Sequence, residues 1–344
     1  MEMRFLGRSG LQISVLSFGA MTFGGSGIFA NVGRTQADEA RRLLAMCLEA
    51  GVNLVDTADM YSEGQSEEIL GRVLDKSRRN EVVIATKAYA RMGKAAHDLG
   101  LSRRHLIAAC EASLRRLNTD WIDLYQVHNF DSLVPLEETL RALDDLVATG
   151  KVRYIGCSNY FAWQLTKALG LSERLGIARF ISQQIQYSLL VRDVETEMLP
   201  AGIDLGVGAL IWSPLAQGFL TGKFRGGRAE GGRLAATGRL QQYDDARGQR
   251  VLDACEQIAA AHPGATSGQV ALNWLLRRPG VSSVILGART EEQLRDNLAA
   301  ATWSLSDAET AQLDAASQQP LGYPAAQHRM FHGERNPPLF PRSR

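Results

Sequence analysis

The 344-residue sequence predicts an α/β protein, a (β/α)8 barrel of the TIM type. Two observations lead there. Eight short runs rich in β-branched residues recur along the chain, and longer stretches between them place apolar residues every three or four positions. Such alternation implies parallel strands covered by helices. A third observation sets the domain count: no linker-like composition divides the chain, and 45% hydrophobic residues suffice for one large core. Residues 1–318 are therefore read as one barrel.

The opening "MRFLGRSGLQISVL" sets a Ser-Gly turn between two short apolar runs, which predicts a β-hairpin plugging the N-terminal end of the barrel. Barrel strands are expected at 15–20, 52–56, 82–87 and 121–128, then at 152–158, 180–186, 207–213 and 283–288. Among the helical stretches, "TQADEARRLLAMCLEAG" offers Thr35 as a cap, early acids and a closing Gly51. Residues 101–118 and 135–150 repeat the pattern, followed by 193–206 and 266–280. Residues 214–245 are Gly- and Arg-rich and predict a long functional loop after the seventh strand. The tail at 319–344 is Pro-rich and aromatic and reads as irregular, too much so for a helix.

One motif invites a wrong turn. "GSGIFA" at 25–30 fits G-x-G-x-x-A, yet a dinucleotide fingerprint needs its glycines to open a helix directly. Here "NVGR" intervenes, so the segment is read as a loop.

Composition narrows the function. A formal net charge of +1 with interspersed signs offers nothing to nucleic acid or an anionic membrane. Four scattered cysteines suggest free thiols in a reducing compartment, and no His/Cys/acid spacing suits a metal. Neither a signal peptide nor a membrane span is legible, so a cytoplasmic protein with a small-molecule partner is expected. Composition neither requires nor excludes a homo-oligomer.

The C-terminal strand ends, where a barrel of this kind keeps its chemistry, carry Asp56, Lys87 and His128, with Tyr61 one loop after Asp56. A phenol ordinarily titrates near pKa ~10 and is a poor acid at neutral pH. An ammonium beside it favours the phenolate, a carboxylate would hold that ammonium, and an imidazole could donate to a developing oxyanion. The set suits protonation of a carbonyl oxygen, or the reverse removal of a proton from an alcohol.

These residues sit in "DTADMYSEG", "ATK" and "DLYQVHNFD", followed by "IGCSN", "QQIQYSLL", "WSPLAQGFLTGK" and "ILGARTEEQLRDN". Together the motifs, from about residue 3 to 318, resemble the aldo-keto reductase family, in spacing closest to its bacterial members and its potassium-channel β-subunit branch. The resemblance implies an NADP(H)-dependent alcohol dehydrogenase or carbonyl reductase, with Asp56, Tyr61, Lys87 and His128 as a catalytic tetrad and Tyr61 as proton donor. It implies NADP(H) in preference to NAD(H). Trp212 would stack on the nicotinamide, Ser158, Asn159 and Gln184 would hold its carboxamide, and Ala20 and Met21 would lie nearby. Ser213, Pro214, Leu215, Gln217, Gly218, Lys223 and Arg233 would fold over the pyrophosphate. Gly287, Arg289, Gln293, Asp296 and Asn297 would hold the adenosine half, Arg289 pairing with a 2′-phosphate.

The substrate, an aldehyde, ketone or sugar-like carbonyl or alcohol, would meet Met21, Phe23, Met60, Tyr89 and Phe130, and the tail could close over it. Cys157 is either a core thiol or a redox-sensitive neighbour of the cofactor. The alternative is a cofactor-binding regulatory subunit like the channel-associated branch. That branch tends to carry Asn where this chain has His128, which favours catalysis.

Overall fold

The computed structural model describes residues 1–225 and 242–331. A two-stranded antiparallel hairpin, β1 (Met3–Phe5) and β2 (Gln12–Ser14), opens the chain, with Met3 opposite Ser14. Eight parallel strands then close on themselves: β3 (Leu16–Gly19), β4 (Leu54–Asp56), β5 (Val83–Ala88), β6 (Ile122–Val127), β7 (Val152–Ser158), β8 (Phe180–Gln186), β9 (Gly208–Trp212) and β10 (Val281–Leu286). Each pairs with the next, and β10 pairs with β3 to complete the cylinder.

Strand periodicity explains why one end of this cylinder is apolar and the other charged. Alternate residues point inward. In β4 the inward pair is Leu54 then Asp56, whereas Val55 packs outward. In β5 Ala85 precedes Lys87, and in β6 Leu124 precedes Gln126. The lower inward residues form a small cluster with Leu6 and Ile13 of the hairpin region, so the hairpin does plug the N-terminal end. Arg4 anchors it by donating from Nη1 to the Val281 carbonyl at 2.9 Å, and the Arg8 N–H donates to the Gly206 carbonyl at 2.7 Å.

Helices form in each stretch where the spacing predicts one, and further ones that it did not single out cover Gln65–Val73, Ala162–Leu175, Ala246–Ala261, Glu291–Ala299 and Asp307–Ala316. Three local differences stand out. The first helix begins at Ala37 with no side-chain cap, because Thr35 instead bridges to Phe23 and closes the preceding loop. The 193–206 stretch divides into a short turn, Asp193–Glu195, and a helix, Met198–Leu205, whose first turn accommodates Pro200. The tail is not wholly irregular: Ala325–Met330 is a short helix. Described tail residues such as Leu321, Ala325 and Arg329 line a cleft with Arg4, Arg278 and Asp314, and none of them borders the cavity at the barrel mouth. The Gly-rich 25–30 segment forms a single 3-10 turn, Gly27–Phe29, apart from any long helix, as a loop should.

Candidate active site

At the charged end, Lys87 is completely buried, and its ammonium has three oxygen neighbours. Nζ donates to Asp56 Oδ1 at 2.6 Å and to the Thr57 carbonyl at 2.8 Å, and lies 3.4 Å from the Tyr61 hydroxyl. Asp56 Oδ2 accepts from Gln184 Nε2 at 2.7 Å and from Gln126 Nε2 at 3.3 Å. A buried ion pair is tolerable only when its remaining lone pairs and protons are matched in this way. Burial alone would lower the Lys87 pKa, but the Asp56 charge, then Tyr61, outweigh it and hold the ammonium above the ordinary lysine range.

Tyr61 owes its place to a strained turn. Ser62 and Glu63 adopt φ of 50° and 57°, and Gly64 follows at 95°. Three successive residues in the left-handed region reverse the chain sharply before the Gln65–Val73 helix, at a cost of ~1–2 kcal/mol for each non-glycine. The His128 ring meets the Tyr61 ring edge-on, centroids 5.8 Å apart. Burial, then the Lys87 charge, push the His128 pKa down to about 3, so the imidazole is neutral at physiological pH. Its Nδ1 is buried without a hydrogen-bond partner among the described residues.

The tetrad opens into a cavity of about 560 Å³. Met21, Phe29, Asn31, Val32, Met60 and Tyr61 border it on one side, with His128, Ser158, Asn159, Gln184 and Trp212. Ser213, Pro214, Leu215, Gln217, Gly218 and Lys223 continue the wall after β9, and Gly287, Arg289, Gln293, Asp296 and Asn297 complete it after β10. Ser213, Ala216, Gln217 and Gly218 all have positive φ, which bends the post-β9 chain tightly over the opening. Lys223 is exposed overall, yet partial desolvation and the nearby Arg289 guanidinium lower its pKa. Two cations facing one space is the arrangement an anion would relieve.

Several expected contacts are corrected. Ala20 is buried beneath the mouth, where its carbonyl accepts from Ser66 Oγ at 2.7 Å, and does not border the cavity. Phe23 is fully buried against Phe18, ring centroids 5.7 Å apart, so it packs the core and not a substrate. Tyr89 and Phe130 also lie off the cavity, Phe130 turning its ring to Tyr160 and Trp163. Phe29, from the segment whose glycines mimic a dinucleotide motif, borders the cavity instead, with Asn31 and Val32 of the "NVGR" that follows it. Gln126 was also overlooked; its signal was its place two residues before His128, on the same strand face. Cys157 is a buried core thiol, its pKa pushed up by desolvation. Arg233 lies outside the described residues.

Comparison with known proteins follows the same lines. The model of the aldo/keto reductase family matches residues 15–318. The chain belongs to that family. Its curated relatives include a probable voltage-gated potassium channel subunit beta of Arabidopsis thaliana, 37% identical over 87% of this chain and 91% of the relative. A putative voltage-gated potassium channel subunit beta of Schizosaccharomyces pombe is 38% identical over 86% and 87%. An uncharacterized oxidoreductase of Bacillus subtilis is 38% identical over 89% and 92%.

Aldo/keto reductases are oxidoreductases that typically use NADP(H). The donor set here fits such a cofactor: two cations, Lys223 and Arg289, line the cavity together with an indole and several amides. In this aldo/keto reductase those amides are already engaged. Gln184 Nε2 donates to Asp56, Asn159 Nδ2 donates to the His128 carbonyl at 3.0 Å, and Asn159 Oδ1 accepts from Trp212 Nε1 at 3.3 Å. A bound carboxamide would use their remaining capacity, such as Gln184 Oε1 and Ser158 Oγ. Among the described residues no helix is long and apolar enough to cross a membrane.

Proposed function

We propose that the protein is a carbonyl reductase and alcohol dehydrogenase in which Tyr61 delivers the proton to the substrate oxygen. The observation that carries this reading is the Lys87 ammonium between the Asp56 carboxylate at 2.6 Å and the Tyr61 hydroxyl at 3.4 Å. A fixed positive charge at that distance stabilises the phenolate left after proton transfer. Asp56 keeps the ammonium charged and in place, and Gln184 and Gln126 keep Asp56 from turning away. The neutral His128 offers an N–H to the carbonyl oxygen as its charge develops, without competing as an acid.

A bound NADPH would supply the hydride to the carbonyl carbon. Trp212, Ser158, Asn159 and Gln184 would hold its nicotinamide end. Lys223 and Arg289 would take its phosphates, Arg289 the 2′-phosphate that favours NADP(H) over NAD(H). Met21, Phe29, Val32 and Met60 offer an apolar wall to an aldehyde or ketone with an apolar or sugar-like body, and Asn31 adds a polar edge.

The second reading, a cofactor-binding subunit with little turnover, draws on the potassium-channel names of two relatives. NADPH oxidation across a panel of aldehydes, ketones and sugars separates the two. Turnover should appear in the parent and vanish in Tyr61→Phe while NADPH still quenches tryptophan fluorescence. No turnover on any carbonyl, with tight NADPH binding, would favour the subunit.

A further inference from the structure

The glycines of residues 24–33 are explained by what they grip. Ser62, the first residue of the strained turn after Tyr61, is fully buried. Its Oγ donates to the Phe23 carbonyl at 3.0 Å and accepts from the Gly25 N–H at 3.0 Å. Ser26 Oγ donates to the Ser62 carbonyl at 2.6 Å. The loop is closed at its base, where the Gly24 N–H donates to the Thr35 carbonyl at 3.1 Å and the Thr35 N–H to the Thr22 carbonyl at 3.0 Å.

Contact is too close for side chains. A Cβ on Gly24 would lie 2.7 Å from Ser62 Cβ, and one on Gly33 would lie 2.8 Å from Ser62 Oγ. Over the top of the same loop, Phe29 sets its ring edge-on to Tyr61, centroids 5.4 Å apart, and Asn31 and Val32 reach the cavity. Two hydroxyls, those of Ser62 and Ser26, thus join the segment that lines the cavity to the turn that follows the phenol.

We infer that Ser62 is a positioning residue for Tyr61, its hydroxyl clasping the cavity-lining loop so that loop order and phenol orientation are gained or lost together. This rests on the reading of Tyr61 as proton donor. A substrate packed against Phe29 and Val32 then also steadies the group that protonates it. Strain at Ser62 persists because the loop satisfies its hydroxyl and carbonyl while its neighbours leave it no other conformation.

Two variants test the clasp. Ser62→Gly removes the hydroxyl at a φ that glycine adopts freely, so the turn itself gains no backbone strain. Gly33→Ala adds a methyl 2.8 Å from Ser62 Oγ, and 3.2 and 3.3 Å from the Gly25 nitrogen and the Phe23 carbonyl oxygen, at a residue whose φ is not positive. Ser62→Gly should lower kcat roughly ten- to a hundredfold, as misplacement of a catalytic group does. It should also raise KM for the carbonyl, speed hydrogen exchange at residues 24–33, and leave the NADPH Kd unchanged. Gly33→Ala should give the same signature more weakly. In the double variant the closest clash, with the hydroxyl, is gone while those with the Gly25 nitrogen and the Phe23 oxygen remain, so its loss should be smaller than the sum of the two single losses.

Parental kcat in Ser62→Gly, or losses that add in the double variant, would overturn the inference. Tyr61→Phe separates it from the reading beneath it. Turnover retained there removes both, whereas turnover lost there but kept in Ser62→Gly removes the clasp alone.

Discussion

Two buried acid–base clusters lie on opposite faces of β5, anchored by consecutive residues. Lys87 faces into the barrel and meets Asp56, Thr57 and Tyr61. Thr86 faces out and donates from Oγ1 to Glu67 Oε1 at 2.5 Å, while Arg116 Nε donates to Glu67 Oε2 at 2.7 Å. The inner cluster matches its charges: one ammonium, one carboxylate, and two amides on the carboxylate's other oxygen. The outer one does not. Asp59 is fully buried near Glu67, and neither of its oxygens has a hydrogen bond of good geometry among the described residues, the Met60 N–H being only a weak neighbour.

Burial first, then the Glu67 charge, raise the Asp59 pKa to about 8, which the Met60 amide and the Arg116 and Lys87 cations offset only in part. Matching therefore separates a cluster that holds a fixed charge next to a cavity from one that keeps a carboxyl neutral in the protein interior.

The comparison breaks most readily at Lys87. Lys87→Met should cut turnover by roughly 10²–10⁴-fold, the range expected for lost acid–base catalysis, with the NADPH Kd little changed. Arg116→Met should keep most of its turnover. Equal losses in steady-state assays of both would mean that the outer cluster is as much part of the chemistry as the inner one.

Next in size is stability. Arg116→Met leaves the Glu67 carboxylate buried without its cation, and urea unfolding should show a loss of roughly 3–5 kcal/mol. A loss below about 1 kcal/mol, the worth of a surface pair, would show the cluster to be solvated.

Asp59 sharpens the contrast through pH. Its folded pKa, about 8, exceeds the ordinary 3.8, so the unfolded chain releases this proton first as pH rises. The Asp59 contribution to stability is complete below about pH 3.8 and is lost as pH climbs through 8. Asp59→Asn escapes that loss, and its Tm relative to the parent should climb steadily over the same window. A difference that is flat with pH would mean that Asp59 is ionised in the fold.

The smallest effect has the opposite sign. His128 is depressed from 6.5 to about 3, so the unfolded chain takes up its proton first on acidification. Its contribution is present above about pH 6.5 and is lost as pH falls to 3. In His128→Asn the acid slope of stability should be shallower by about one proton, measured by urea unfolding across that range.

Much of this was legible without coordinates. Strands 152–158 and 180–186 begin and end where β-branched and apolar runs do, and the meeting of Asp56, Tyr61, Lys87 and His128 could be read from three residues closing successive strands and one on the loop between. Phe23 and Phe29 mark the limit. Both are aromatic residues in a Gly-rich stretch, and nothing in their spacing says that Phe23 turns to Phe18 while Phe29 turns to Tyr61. The Asp59 carboxyl was equally silent, because an acid two residues before the tyrosine reads as solvated until the helix at Gln65–Val73 covers it.

By itself the sequence determined the barrel, its plugged end and the residue types at its mouth, since a period of two sends a strand's alternate side chains to one face whatever surrounds it. Which of those groups come within hydrogen-bond reach of one another, which acid loses its partners, and which loop bonds to Ser62 beside Tyr61 were decided only by the closed fold. Those outcomes depend on distances across the cylinder and on loops held in left-handed turns, and residues as far apart as Asp56 and Gln184 meet only once β10 pairs with β3.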